Sequence, residues 1–114
     1  MTKEQVTEVV KALEERKAEN VKVIDISKVS VMTDYFVITN GNSQPQLDAI
    51  IDAAEEALNK LDIKYHLEGS KNQTWNLIDA GDLVIHVFNR DSRSFYNVEH
   101  LWKDGEIVEF NDIL

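Results

Sequence analysis

Six residues, Asp34-Tyr35-Phe36-Val37-Ile38-Thr39, constrain the fold of this chain most tightly. Side chains alternate across a strand, and the apolar residues here are consecutive, so a strand made from them is apolar enough to be buried on both faces. Asn40-Gly41-Asn42 stops it.

Helices flank this strand. Thr2 and Gln5 have capping-box spacing, and Val6, Val9, Val10 and Leu13 recur at the spacing of one buried helical face. Charged residues fill the other positions through Glu19, and Asn20 is placed to end this helix. Ser43 and Gln46 form a second capping-box pair, with Pro45 tolerated in the first turn, where its missing N–H has no helical partner. Leu47, Ile50, Ile51, Ala54, Leu58 and Leu61 make one stripe, while Asp48, Asp52, Glu55 and Glu56 read as a solvated face. Further strands are expected over residues 21–26, 63–67, 74–79 and 83–88, with Ala80-Gly81 turning the last two into an antiparallel hairpin. Residues 27–33 read as a connection, with Val29, Val31 and Met32 as apolar anchors. A short helix should follow the hairpin, with Phe95, Val98 and Leu101 or Trp102 on one side. Asp104-Gly105 ends it, and residues 107–110 form an edge strand or clasp. The order α-β-β-α-β-β-β-α predicts an α/β fold of the mixed α+β sandwich kind. No repeat or linker interrupts it, so residues 1–114 read as a single domain.

Charge narrows the function. Twelve Lys and Arg against 21 Asp and Glu leave a net charge of −9. Nucleic acid requires basic side chains, so sequence-specific DNA or RNA binding is not expected, and a basic or neutral protein surface is the natural complement. Cysteine is absent, which removes disulfides and thiolate chemistry. No apolar run approaches the ~20 residues that span a bilayer, and the Glu-rich N-terminus resembles neither a signal nor a transit peptide. These features predict a soluble, cytoplasmic protein without membrane attachment.

The tests for chemistry return little. The histidines, His66, His86 and His100, lack metal-ligand spacing, and His86 sits between Val84 and Phe88 where it reads as core. No Ser occupies a Gly-x-Ser-x-Gly elbow, and phosphate-cradling Gly-rich loops are missing. Gly41-Asn42-Ser43 resembles the turn that opens nucleotidyl-transfer sites. That chemistry needs carboxylates converging on Mg²⁺, and the next strand, Lys64-Tyr65-His66-Leu67-Glu68, has no Asp-x-Asp pair. Neither metal nor cofactor is expected.

What remains is a surface. Trp75, Leu77 and Asp79 alternate onto one strand face, with Asn76 and Ile78 on the other, and Glu68 begins the preceding polar loop. One reading is a recognition patch anchored by Trp; the other buries Trp75 and gives Asp79 to the turn. Trp102 reads as packed, and Tyr96 as partly outward.

Three blocks together resemble the ribosomal silencing factor (Iojap-like) family: Thr33-Asp34-Tyr35-Phe36-Val37-Ile38 with Gly41-Asn42-Ser43; Glu68-Gly69 with Trp75-Asn76-Leu77-Ile78-Asp79-Ala80-Gly81-Asp82 and Val84-Ile85-His86-Val87-Phe88; and Arg93-Ser94-Phe95-Tyr96-Asn97-Val98-Glu99-His100-Leu101-Trp102. They occur in family order across nearly the whole chain. The resemblance implies a nucleotidyltransferase-like mixed sheet without catalytic activity. It also implies homodimers that bind the large ribosomal subunit at its fourteenth L protein. There they block joining with the small subunit and repress translation under nutrient limitation. Carried over by position, Glu68, Trp75, Leu77, Asp79 and Asp82 form the docking surface. Tyr35, His86 and Tyr96 match further family positions, with Tyr96 counted toward docking. Asn76 and Val98 depart from the family's usual apolar residue and Leu, and a basic residue common near Pro45 is missing. The rival reading is a small Mg-dependent nucleotidyltransferase-like enzyme on the same fold.

Overall fold

The computed structural model describes residues 2–27, 31–69, 75–89 and 106–108, of which residues 75 and 106–108 are described by backbone alone. The first helix, α1 (Lys3–Glu15), begins as its capping residues dictate. Thr2 Oγ1 accepts from the Gln5 N–H at 3.2 Å, and the Thr2 N–H donates to Gln5 Oε1 at 2.9 Å. Val6, Val9, Val10 and Leu13 are fully buried. The helix stops four residues short of the expected Glu19. Lys17 turns left-handed at φ +61°, its N–H donates to Glu14 O, and the Ala18 N–H donates back to Leu13 O. This pairing satisfies the last carbonyls of the helix, a task usually given to glycine. With Lys in that place, the stop leaves no mark in the sequence. Asn20, the expected helix end, instead lies in strand β1 (Glu19–Asp25) at φ +49°, beside a bulge in its pairing.

Strand β2 (Tyr35–Gly41) is buried at every position, as its composition requires. Helix α2 (Gln44–Lys60) follows, with Ser43 Oγ accepting from the Gln46 N–H at 3.3 Å. Replacing Ser43 by alanine is expected to cost about 1 kcal/mol in urea denaturation, the typical worth of such a cap. The helix ends on a second left-handed residue, Asp62 at φ +58°, with the Ile63 N–H donating to Leu58 O. Strands β3 (His66–Glu68), β4 (Trp75–Asp79), β5 (Leu83–Asn89) and β6 (Glu106–Val108) complete the described elements. The expected short helix near residues 95–102 lies outside the described residues. Of the last strand expected over residues 107–110, residues 107–108 lie in β6, which starts one residue earlier and pairs antiparallel with β1 at the sheet edge, while residues 109–110 lie outside the described residues.

The six strands form one mixed sheet in the order β3-β4-β5-β2-β1-β6. Among the described strands only β2 and β5 pair in parallel, at the centre, and α2, β3 and β4 lie between them in the chain. Both helices lie on one face, over Val23, Val37, Ile78, Leu83, Ile85 and Val87. Ile24, Ile26, Phe36, Ile38, Val84 and Phe88 form a second buried cluster, drawn from the alternate positions of the same strands. The result is a mixed α+β fold in which two sheet faces carry separate apolar clusters.

Candidate docking face of the sheet

The hairpin of β4 and β5 forms as expected, with Ala80, Gly81 and Asp82 between the strands. Gly81 turns at φ +81°, the Ala80 N–H donates to Leu83 O, and Asp79 Oδ1 accepts from the Gly81 N–H at 2.9 Å. Asp79 therefore does serve the turn, yet its side chain stays exposed. Register fixes the neighbours. Glu68 pairs with Leu77, Leu77 with His86, and His86 with Ile38, giving one row across four strands. Burial deepens along it: Glu68 is exposed, Leu77 half-buried, and His86 and Ile38 buried. Leu77 packs against the second cluster, while Asn76 and Ile78 are buried on the alternate positions of β4.

Asp82 follows the turn with an exposed side chain, and its carbonyl accepts from both the Asp34 and Tyr35 N–H groups, at 2.9 and 3.0 Å. Of the sequence-predicted docking residues, Glu68, Leu77, Asp79 and Asp82 thus share one region of the sheet. Trp75 lies opposite Phe88 in register, four residues from Asp79, and its side chain lies outside the described atoms. Tyr96 lies outside the described residues.

His86 is core, as its neighbours in sequence imply. It meets the Phe36 ring edge-on at 4.7 Å between centroids and lies parallel to Phe88 at 6.4 Å. Burial pushes its imidazole from the ordinary 6.5 down to about 4, so it is neutral at physiological pH. The Tyr35 hydroxyl is shifted up, first by burial and then by the Asp25 and Asp34 carboxylates.

The Gly41-Asn42-Ser43 turn is occupied by the protein itself. The Asn42 N–H donates to Gln46 Oε1 at 2.7 Å, and Gln46 Nε2 donates to Lys17 O at 2.7 Å. Gln46 therefore reaches the amide before the cap rather than closing the reciprocal box with Ser43. A Cβ on Gly41 would lie 3.1 Å from Leu47 Cδ2, tighter than ordinary contact, so a larger residue here would push on the Leu47 side chain. Among the described residues, no three His, Asp or Glu side chains gather where they could hold a metal ion. The acidic face of α2 is only partly solvated, because Glu55 is half-buried and accepts from the Tyr65 hydroxyl at 3.1 Å.

The β1–β2 connection is anchored differently from the sequence expectation. Of its expected anchors, Val31 and Met32 are both exposed, and Val29 lies outside the described residues. Thr33 and Ile26 are buried instead, and the Ile26 N–H donates to Asp34 O, so backbone bonds hold this loop where apolar burial was expected.

Comparison with known proteins places this geometry. The sequence matches the family described as "Ribosomal silencing factor during starvation" along residues 1–114. It is 38% identical over 106 residues to the ribosomal silencing factor of Halalkalibacterium halodurans, covering 92% of this chain and 91% of that one. The Bacillus subtilis ribosomal silencing factor is 38% identical over 104 residues, covering 88% and 86%. A crystal structure of a Bacillus halodurans protein, 37% identical, superposes with a TM-score of 0.81 over 93% of this chain and 97% of that one. Likeness at this level across nearly the full length, joined to the same mixed sheet, makes the chain a member of the ribosomal silencing factor family.

Proposed function

We propose that this protein docks on the large ribosomal subunit, at its fourteenth L protein, and blocks joining with the small subunit by occupying the face they share. It acts in the cytoplasm as a homodimer of single-domain chains and represses translation when nutrients are scarce, with no catalytic step. The observation that carries this reading is the exposure of Glu68, Asp79 and Asp82 around the half-buried Leu77, on a chain of net charge −9. Carboxylates bordering an apolar strip suit Arg and Lys on a ribosomal protein, and repulsion keeps such a surface away from ribosomal RNA. Gln46, by taking the Asn42 N–H, supports the non-enzymatic reading over nucleotidyl transfer at that turn.

Co-sedimentation with isolated large subunits tests the docking step. Wild type is expected to bind, with an affinity that falls as salt rises. Trp75→Ala and Asp79→Lys are each expected to weaken binding about tenfold, the scale of losing one interface anchor or charge contact. Unchanged binding by both variants would remove this surface, and wild type that fails to sediment would remove the function. A reconstituted subunit-joining assay then reads repression directly, with joining expected to fall as the protein is added.

A further inference from the structure

One end of the sheet combines two features that the docking residues alone do not include. Register brings Asp25 at the end of β1 beside Tyr35 at the start of β2, Tyr35 beside Leu83 of β5, and Val84 beside Asp79 of β4. Asp25, Asp34, Asp79 and Asp82 therefore lie along a single rim, and the upward shift of the Tyr35 hydroxyl registers the field of two of them. Residues 31–34, which lead into β2, reach the same rim. Of these, Val31 and Met32 are the large hydrophobic side chains left exposed among the described residues, at 105% and 83% of full exposure.

Adjacent exposed apolar side chains of this size are costly to hydrate, and covering them with a partner removes that cost. The pair is also held in place. Thr33 beside it is buried, and the next two N–H groups both donate to Asp82 O, at 2.9 and 3.0 Å. The chain just after the pair is thereby fastened to the acidic turn. Interfaces repeat this arrangement, with an apolar centre that excludes water and charged groups around it. Methionine adapts its shape to an irregular hollow without losing contact.

We propose that Val31 and Met32 form the apolar centre of the ribosome-docking surface, seated in a hollow bordered by Arg and Lys on the ribosomal protein, with Asp79 and Asp82 pairing at its edge. The inference rests on the docking reading above and extends its contact surface from the β4 face onto the neighbouring loop. Charge complementarity selects the occupant: a basic protein surface satisfies the acidic rim, whereas a second copy of this chain would bring carboxylates against carboxylates.

The test uses the full chain and isolated large subunits across a salt series. The Val31→Ser, Met32→Ser double variant is expected to bind about tenfold more weakly with an unchanged salt slope, because it removes apolar contact and no charge. Its melting temperature should match wild type, since neither side chain is in the core. Asp79→Lys should weaken binding and flatten the slope. If the double variant binds within twofold of wild type while Asp79→Lys is weakened, the apolar contact is overturned and the docking reading stands. If wild type fails to sediment, the docking reading itself is overturned.

Discussion

Phe88→Ala is expected to destabilise the protein by about 3–5 kcal/mol at pH 7, enough to unfold a large fraction of a domain this size. Phe88 is fully buried on central strand β5, among Ile24, Ile26, Phe36, Ile38 and Val84 on the face away from the helices. Its truncation removes apolar area and leaves a cavity that flanking strands cannot close, because β4 and β2 hold β5 in register from both sides. The cost includes the contact with the parallel His86 ring. Phe88→Leu keeps most of the volume and should cost under about 1.5 kcal/mol. Urea denaturation reads both values. A Phe88→Ala loss below about 1 kcal/mol would mean that this second face is not packed as a core, and that only the helix-covered face stabilises the fold.

Local chemistry made most of this architecture readable in advance. Both helix starts followed from Thr2 and Ser43, the doubly buried strand from residues 34–39, although it runs on through Asn40 and Gly41 that were expected to stop it, and the hairpin from Ala80-Gly81. What sequence reasoning lost were features set by the backbone. Lys17 and Asp62 end their helices in left-handed turns without the glycine that would announce them. Val31 and Met32 are apolar, and hydropathy alone assigns such residues to anchoring; hydrogen bonds to Asp82 supply the anchor instead. The parallel pairing of β2 with β5 joins segments over forty residues apart, and periodicity carries no information on partners at that distance. The grouping of the proposed docking residues was legible in part. Alternation along β4 set Leu77 and Asp79 apart from Asn76 and Ile78, and the register of β3 then brought Glu68 beside Leu77. Only the fold could show that the loop at residues 31–32 belongs to the same end of the sheet as Asp82.

Acid should act on this fold through His86. Its imidazole is buried between the Phe36 and Phe88 rings, and burial alone lowers its pKa to about 4. In the unfolded chain the same group titrates near 6.5, so between those values the unfolded state binds the extra proton. Stability from this site is therefore complete above about pH 6.5, declines as the pH falls toward 4, and changes no further below that. The gap corresponds to about 3 kcal/mol, comparable to a core truncation. Urea titrations from pH 7 to pH 4 should show the decline, and His86→Leu should remove most of it while keeping an apolar side chain of similar size. A decline of equal size in His86→Leu would assign the acid sensitivity to other groups. The two core predictions are coupled. Phe88→Ala admits water beside the imidazole, moves its pKa back toward 6.5, and should flatten the same pH dependence even as it lowers stability at pH 7.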